Sequence, residues 1–136
     1  MKKIILIGGG GHCKSVIDVI EQENKFKIAG IIDKPNLLGS EVLGYTVIGS
    51  DIDLKKLSKK YQYALITVGQ IKSSKLRKKL FNLINNAGFK VPIIKSPFAY
   101  VSKHSSIGRG STVMHNAIVN ANSFIGDNCI INSNAL

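Results

Sequence analysis

Two hydrophobic rhythms divide the chain. Up to about residue 95, the segments Lys3 to Ile7, Lys27 to Ile32 and Tyr63 to Val68 are near-continuous apolar runs, as in strands buried on both faces. Between them lie helical patterns. His12 to Glu23 carries Val16, Val19 and Ile20 as an inner stripe, and about Ser73 to Ala87 carries Leu76, Leu80, Leu83, Ile84 and Ala87, with Gly88 at the C-cap. From Val101 the period becomes six. Val101, Ile107, Val113, Val119, Ile125 and Ile131 are aliphatic, and Ser105, Ser111, Ala117, Ser123, Cys129 and Ala135 are small. Six matches neither a helix nor a hairpin, and it predicts a solenoid in which three short strands make one triangular turn.

Shorter signals fill in the first part. Lys34 to Gly44 reads as loop, Thr46 to Ile48 as a short strand, and Ser50 with Asp53 as the cap of a helix to about Lys60. Phe89 to Ile94 returns to the sheet, and Pro97 marks a boundary. The fold class is therefore α/β: a small Rossmann-like, mostly parallel sheet over residues 1–97, then an incomplete solenoid over 98–136. A last turn without a cap exposes its stripe, so the sequence reads like the front part of something longer, and self-association is expected.

Composition narrows the function. With 136 residues, 44% of them hydrophobic, there is material for one compact domain and a small appendage. No stretch reaches the roughly 18 apolar residues of a membrane span, and Met1 to Ile7 is too short an apolar start to read as a signal peptide, so a cytoplasmic protein without membrane insertion is expected. Cys13 and Cys129 lie far apart with no C-x-x-C partner, which indicates neither disulfides nor zinc. The net charge of +11 is concentrated before residue 99. Its clusters, Lys55, Lys56, Lys59 and Lys60, then Lys72, Lys75, Arg77, Lys78 and Lys79, fall at solvent-facing helical spacing with few aromatics among them. A solvated basic face is the expectation, and nucleic acid is not the expected partner.

The chemistry gathers at strand ends. Gly8 to Gly11, between a buried strand and a helix, present backbone amides to which a pyrophosphate could bind at the helix N-terminus. Against G-x-G-x-x-G the match is incomplete, because Cys13 stands at the third glycine position. Asp33 could accept from ribose hydroxyls, and the strand ends at Gly8, Asp33 and Val68 to Gln70 should meet at one carboxyl edge, with His12 over it. A nucleotide is the expected ligand, on a sheet too small for both halves of a dinucleotide. His104 and His115 have no carboxylate near in sequence, which favours structural or solvent-facing roles.

Taken together, Ile7-Gly8-Gly9-Gly10-Gly11-His12, Ser15-Val16-Ile17-Asp18, Ile32-Asp33-Lys34 and the hexad tail resemble the bacterial sugar acetyltransferases of the sialic-acid O-acetyltransferase type, which include the N-acetyltransferases of UDP-4-amino-sugars. That resemblance implies a left-handed β-helix for the tail. It also implies transfer of acetyl from acetyl-CoA to an amino or hydroxyl group of a nucleotide-linked sugar or a sialic acid, in bacterial surface glycan synthesis. Substrate binding would fall to Gly10, Gly11, His12, Asp33, Lys34, Gly69 and Gln70, with acetyl-CoA between neighbouring subunits of a homotrimer.

The family's catalytic histidine lies about seven residues after an Asn-Ser or Asn-Thr pair. Asn132-Ser133 matches the pair, which puts the histidine near 139, past Leu136. The positions stacked under it are Ala121 and Lys103, so neither His104 nor His115 substitutes. No catalytic residue and no metal ligand is assigned within the chain, and by itself it should be inactive in transfer. The alternative is a module that binds a UDP-sugar or another nucleotide without chemistry.

Overall fold

A computed structural model of the protein describes residues 1–69 and 74–134; Gln70, Lys72, Ser73 and Ala135, which figure in the sequence reading, lie outside them. β1 (Lys2–Ile7) leads into α1 (Gly11–Glu23) and β2 (Phe26–Ile32). β3 (Glu41–Val42) and β4 (Tyr45–Gly49) follow, then a 3-10 turn (Asp51–Asp53) running into the short α2 (Leu54–Leu57). β5 (Tyr63–Ile66) and α3 (Lys75–Ala87) complete the first unit. The sheet order is β3-β4-β2-β1-β5, parallel throughout except for the β3–β4 pair.

The segment read as loop, Lys34 to Gly44, contains β3, which pairs antiparallel with the expected strand β4. Leu43 and Gly44 turn it with φ of 50° and 87°, a two-residue hairpin with both residues at positive φ. The Ser50–Asp53 capping box forms as expected, with the Ser50 amide donating to Asp53 Oδ2 at 2.9 Å. The helix it opens is shorter than predicted.

β6 (Ile94–Lys95) corrects the expectation that 89–94 rejoins the sheet. Only Lys90 bridges to Tyr63, whereas β6 pairs with β9 (Thr112–Val113) of the solenoid. Around β9 stand β7 (Tyr100–Val101), β8 (Ser106–Ile107), β10 (Ile118–Val119), β11 (Phe124–Ile125) and β12 (Ile130–Ile131). Each pairs in parallel 18 residues on, Tyr100 with Ile118, Ser106 with Phe124 and Thr112 with Ile130, so the coil is a three-sided parallel β-helix of 18 residues per turn. The aliphatic column fills its interior, with Val113 and Val119 buried and Val101, Ile107, Ile125 and Ile131 packed on them.

Its corners share one conformation. Gly110, Asn116, Asn122, Asn128 and Asn134, six residues apart, all have positive φ, between 56° and 74°. Asparagine tolerates this left-handed region better than other side chains, so the Gly/Asn column sets the corners just as the aliphatic column sets the core.

The main core lies between the sheet and the helices, on Ile4 to Ile7, Val16, Ile17, Ile20, Ile31, Leu65, Ile84 and Ile94. Arg77 departs from the predicted basic face. It is 1% exposed, while Leu76, predicted inward, is 52% exposed. The inner stripe of α3 therefore keeps Leu80 and Ile84 of the apolar pattern, with Arg77 in the place expected for Leu76.

Candidate functional site

β1 ends at the point where the chain's strand order reverses. From β1 it proceeds to β2 and β4 on one side, then crosses to β5 on the other. Parallel sheets leave a crevice beyond the carboxyl ends at such a place. Gly8 sits in it with φ 111°, and a Cβ there would stand 2.4 Å from Val68 Cγ1, so the turn accepts only glycine. The Gly9 amide donates to Asp33 Oδ2 at 2.9 Å, and the buried Thr67 hydroxyl donates to the Gly8 carbonyl at 2.6 Å. Asp33 Oδ1 accepts from the Lys34 amide. Asp33 thus holds the loop in shape, and each of its oxygens keeps a further lone pair.

Gly10 and Gly11 have nothing within 4 Å of where a Cβ would be. No side chain caps α1 at Gly10, and its first turn contains no acidic residue. The free amides at this end and the helix dipole favour an anion.

A cavity of about 770 Å³ opens here, lined by Gly8 to His12, Asp33, Lys34, Thr67 to Gly69 and Leu76, with Ile130 and Asn132 supplied by the β-helix. Six of the seven residues expected to bind substrate thus share one cavity; the seventh, Gln70, is outside the described residues. On one side it adjoins a smaller, more apolar cavity of about 330 Å³ that includes Ile7, Ile32, Pro35 and Leu80. On the other, His12 and Asn132 are shared with a polar cavity of about 550 Å³ that adds Lys14, Ser15, Asp18, Met114, His115 and Ser133.

His12 stands between the last two. Its Nε2 is buried without a hydrogen-bond partner among the described residues. Burial, and then the charge of Arg77, push its pKa below the ordinary 6.5, so it is neutral at pH 7. Burial likewise raises the thiol pKa of Cys13, a hydrogen bond with Thr67 opposing the rise and the charge of Asp33 adding to it, so Cys13 is a packed thiol rather than a nucleophile.

Distant contacts supply what local sequence did not show. His115 Nε2 lies 2.7 Å from Asp18 Oδ2, and its Nδ1 lies 2.5 Å from Ser96 Oγ, so a carboxylate 97 residues away partners it. Arg77 donates to the carbonyls of Ile66, Val68 and Asn128 and to Asn128 Oδ1. Its place on the 77, 80, 84 stripe is the one sequence signal that could have marked it as buried. His104 is exposed and lines none of these cavities. No cluster of metal-ligating side chains occurs among the described residues.

Residues 3–84 match the family described as PglD N-terminal domain. No curated protein matches the chain. Among solved structures, PerB from Caulobacter crescentus, in complex with CoA and GDP-perosamine, is 33% identical with a TM-score of 0.88, over 98% of this chain and 61% of PerB. The acetyltransferase domain of PglB from Neisseria gonorrhoeae, in complex with acetyl coenzyme A, is 32% identical with a TM-score of 0.85, over 96% of this chain and 62% of that one. The chain thus spans about three fifths of the length of these relatives. A Rex-family repressor, at 19% identity and a TM-score of 0.53, shares the fold alone.

Proposed function

Since the chain belongs to the PglD N-terminal domain family, in the company of sugar acetyltransferases, we propose that it binds a nucleotide-linked sugar for acetylation by acetyl-CoA. The observation that carries this reading is the 770 Å³ cavity, where the uncapped start of α1, Asp33 and the orphaned His12 Nε2 face residues of the β-helix. A diphosphate lies on the amides of Gly10 and Gly11, and Asp33 and Lys34 meet the ribose and phosphate oxygens. Gly69 lines the cavity beside Thr67 and Val68, and Gln70 is proposed to contact the substrate next to it. Residues 1–97 form the nucleotide-sugar part, and 98–136 the β-helical part.

In the reaction, the sugar's nitrogen or oxygen attacks the thioester carbonyl, the carbon–sulfur bond breaks, and a base takes the proton released. Among the described residues, no histidine is placed to serve as that base. Both ring nitrogens of His115 are engaged, His104 is exposed elsewhere, and His12 Nε2 is buried beside the phosphate site. The resemblance assigns that role to a position near 139. On this reading the chain alone binds the nucleotide-linked acceptor without transferring acetyl.

Acetyl-CoA as co-substrate fits a cytoplasmic protein, and no helix among the described residues is long and apolar enough to cross a membrane. Exposed Phe124 and Tyr100, 80% and 61% accessible on the β-helix, support packing of copies into a homotrimer. The acceptor is a nucleotide-linked amino sugar, with a free sialic acid as the variant that would leave the nucleotide cavity unused.

Calorimetry with UDP, GDP and NAD tests the reading. Binding of a nucleoside diphosphate supports it, whereas NAD binding without affinity for UDP or GDP overturns it. Acetyl transfer by these residues alone would refute the assignment of the base.

A further inference from the structure

The 3-10 turn Asp51–Asp53 runs without a break into α2, and together they make one short amphipathic stretch. Leu54 is 3% exposed and Leu57 half-buried, which sets its inward face. Ile52, Lys55, Lys56 and Lys59 follow one another at helical spacing on the opposite face, and all four are exposed. Ile52 is out of place there. At 85% it is the most accessible large apolar side chain among the described residues, and lysines surround it along the helix.

α3 packs beside α2 and widens the surface. With Arg77, Leu80 and Ile84 turned inward, Lys78 and Lys79 fall on the outer side, and both are exposed. Among the described residues the ion pairs are Lys25 with Glu23 and His115 with Asp18, so Lys55, Lys56, Lys59, Lys60, Lys78 and Lys79 have no carboxylate within ion-pair distance. Two nearby acids are engaged elsewhere. Asp53 accepts from the Ser50 amide, and Asp127, which lines a cavity with Lys78, accepts from the Arg109 amide. Asp51 alone stands exposed at the start of the turn.

Like charges three and four apart on a helix repel, so this face gains from a layer of negative charge opposite it. We propose that it docks on an anionic lipid bilayer, with the lysines over the headgroups and Ile52 between them. Ammonium groups are point charges that suit a field of many anions, whereas a single phosphate is better gripped by a guanidinium fork. No aromatic side chain from 51 to 88 is exposed among the described residues, which leaves nucleic-acid bases nothing to stack on. Ile52 decides for a bilayer over other polyanions, because only a bilayer offers an apolar layer beneath its charges. One such side chain makes the attachment peripheral and reversible. Asp51 and Leu76 also line the smaller, apolar cavity, so the docked face borders the candidate site.

Co-sedimentation of the chain with vesicles of phosphatidylcholine, and of phosphatidylcholine with an equal part of phosphatidylglycerol, tests the proposal. The chain should bind the second at least about tenfold tighter, and salt at about 0.5 M should release it. Lys55→Gln/Lys56→Gln/Lys59→Gln should weaken binding about a hundredfold, roughly fivefold per lysine. Lys3→Gln/Lys27→Gln/Lys90→Gln removes as much charge from outside the face and should weaken it by less than about threefold. Ile52→Ser should weaken it about fivefold and leave the salt dependence unchanged. All these positions are exposed, so the variants should melt as wild type does. Absence of binding, equal binding to both vesicles, equal losses from the two triple variants, or full affinity in Ile52→Ser overturns the proposal. So does duplex DNA that strips the chain from the vesicles at equal charge, which would make nucleic acid the better occupant.

Discussion

Arg77 of α3 and Asn128 of the β-helix exchange three hydrogen bonds: the guanidinium donates to the Asn128 carbonyl at 3.1 Å and to its Oδ1 at 2.8 Å, and Asn128 Nδ2 donates back to the Arg77 carbonyl at 3.1 Å. The same guanidinium reaches Val68 at 2.7 Å, at the edge of the central cavity. No carboxylate pairs with it among the described residues, and burial lowers its pKa, so carbonyl oxygens alone compensate its charge.

Arg77→Met keeps most of the volume but strands those acceptors. Urea unfolding should show a loss of about 3 kcal/mol. Arg77→Lys should recover only part of it, because an ammonium cannot fork to two acceptors as a guanidinium does. A loss under about 0.5 kcal/mol for Arg77→Met would mean that the bonds contribute nothing net.

Gly10→Val separates binding from folding. Gly10 has open space around it and an ordinary negative φ, so the substitution should leave stability within about 0.5 kcal/mol. A branched side chain where the diphosphate lies should weaken UDP or GDP binding about tenfold or more, read by calorimetry. Unchanged affinity would place the anion elsewhere.

His12 makes stability depend on pH in a defined direction. Its folded pKa is below 6.5, through burial first and Arg77 second, so between the two values the unfolded chain binds more protons. The contribution is complete above pH 6.5 and is lost as pH falls toward the folded value. The stability of wild type minus that of His12→Gln should therefore decline below about pH 6.5 and stay flat above it. A flat difference throughout would mean that His12 titrates as it does in the unfolded chain.

At the corners, Asn122 has φ 65°. Asn122→Ala should cost about 1 kcal/mol, and Asn122→Gly should cost less or nothing, measured by thermal unfolding. Equal losses would assign the effect to the Asn122 side chain rather than to its backbone.

Much of this was legible in the order of residues. The period of six gave the β-helix and its core, because an 18-residue coil puts every sixth side chain on the same interior line. The Gly8–Gly11 loop and Asp33 gave the cavity, because strand ends in a parallel sheet share one edge. Arg77 and the His115–Asp18 contact were less accessible. Arg77 is buried because its fork meets carbonyls from two units, and Asp18 meets His115 across 97 residues, a proximity that only the docking of the β-helix on α1 creates. The short β3–β4 hairpin was hidden because Leu43, not a glycine, takes the first positive φ of its turn.

One strand belongs to both halves of the molecule. Ile94 is fully buried in the α/β core, yet it hydrogen-bonds as the first rung of the stack, opposite Thr112. Solenoids commonly fray from their ends, since each coil touches only its neighbours. Here the first rung is anchored, so amide protons of β9 should exchange with solvent as slowly as those of β1, and protection should fade along the coil toward residue 134.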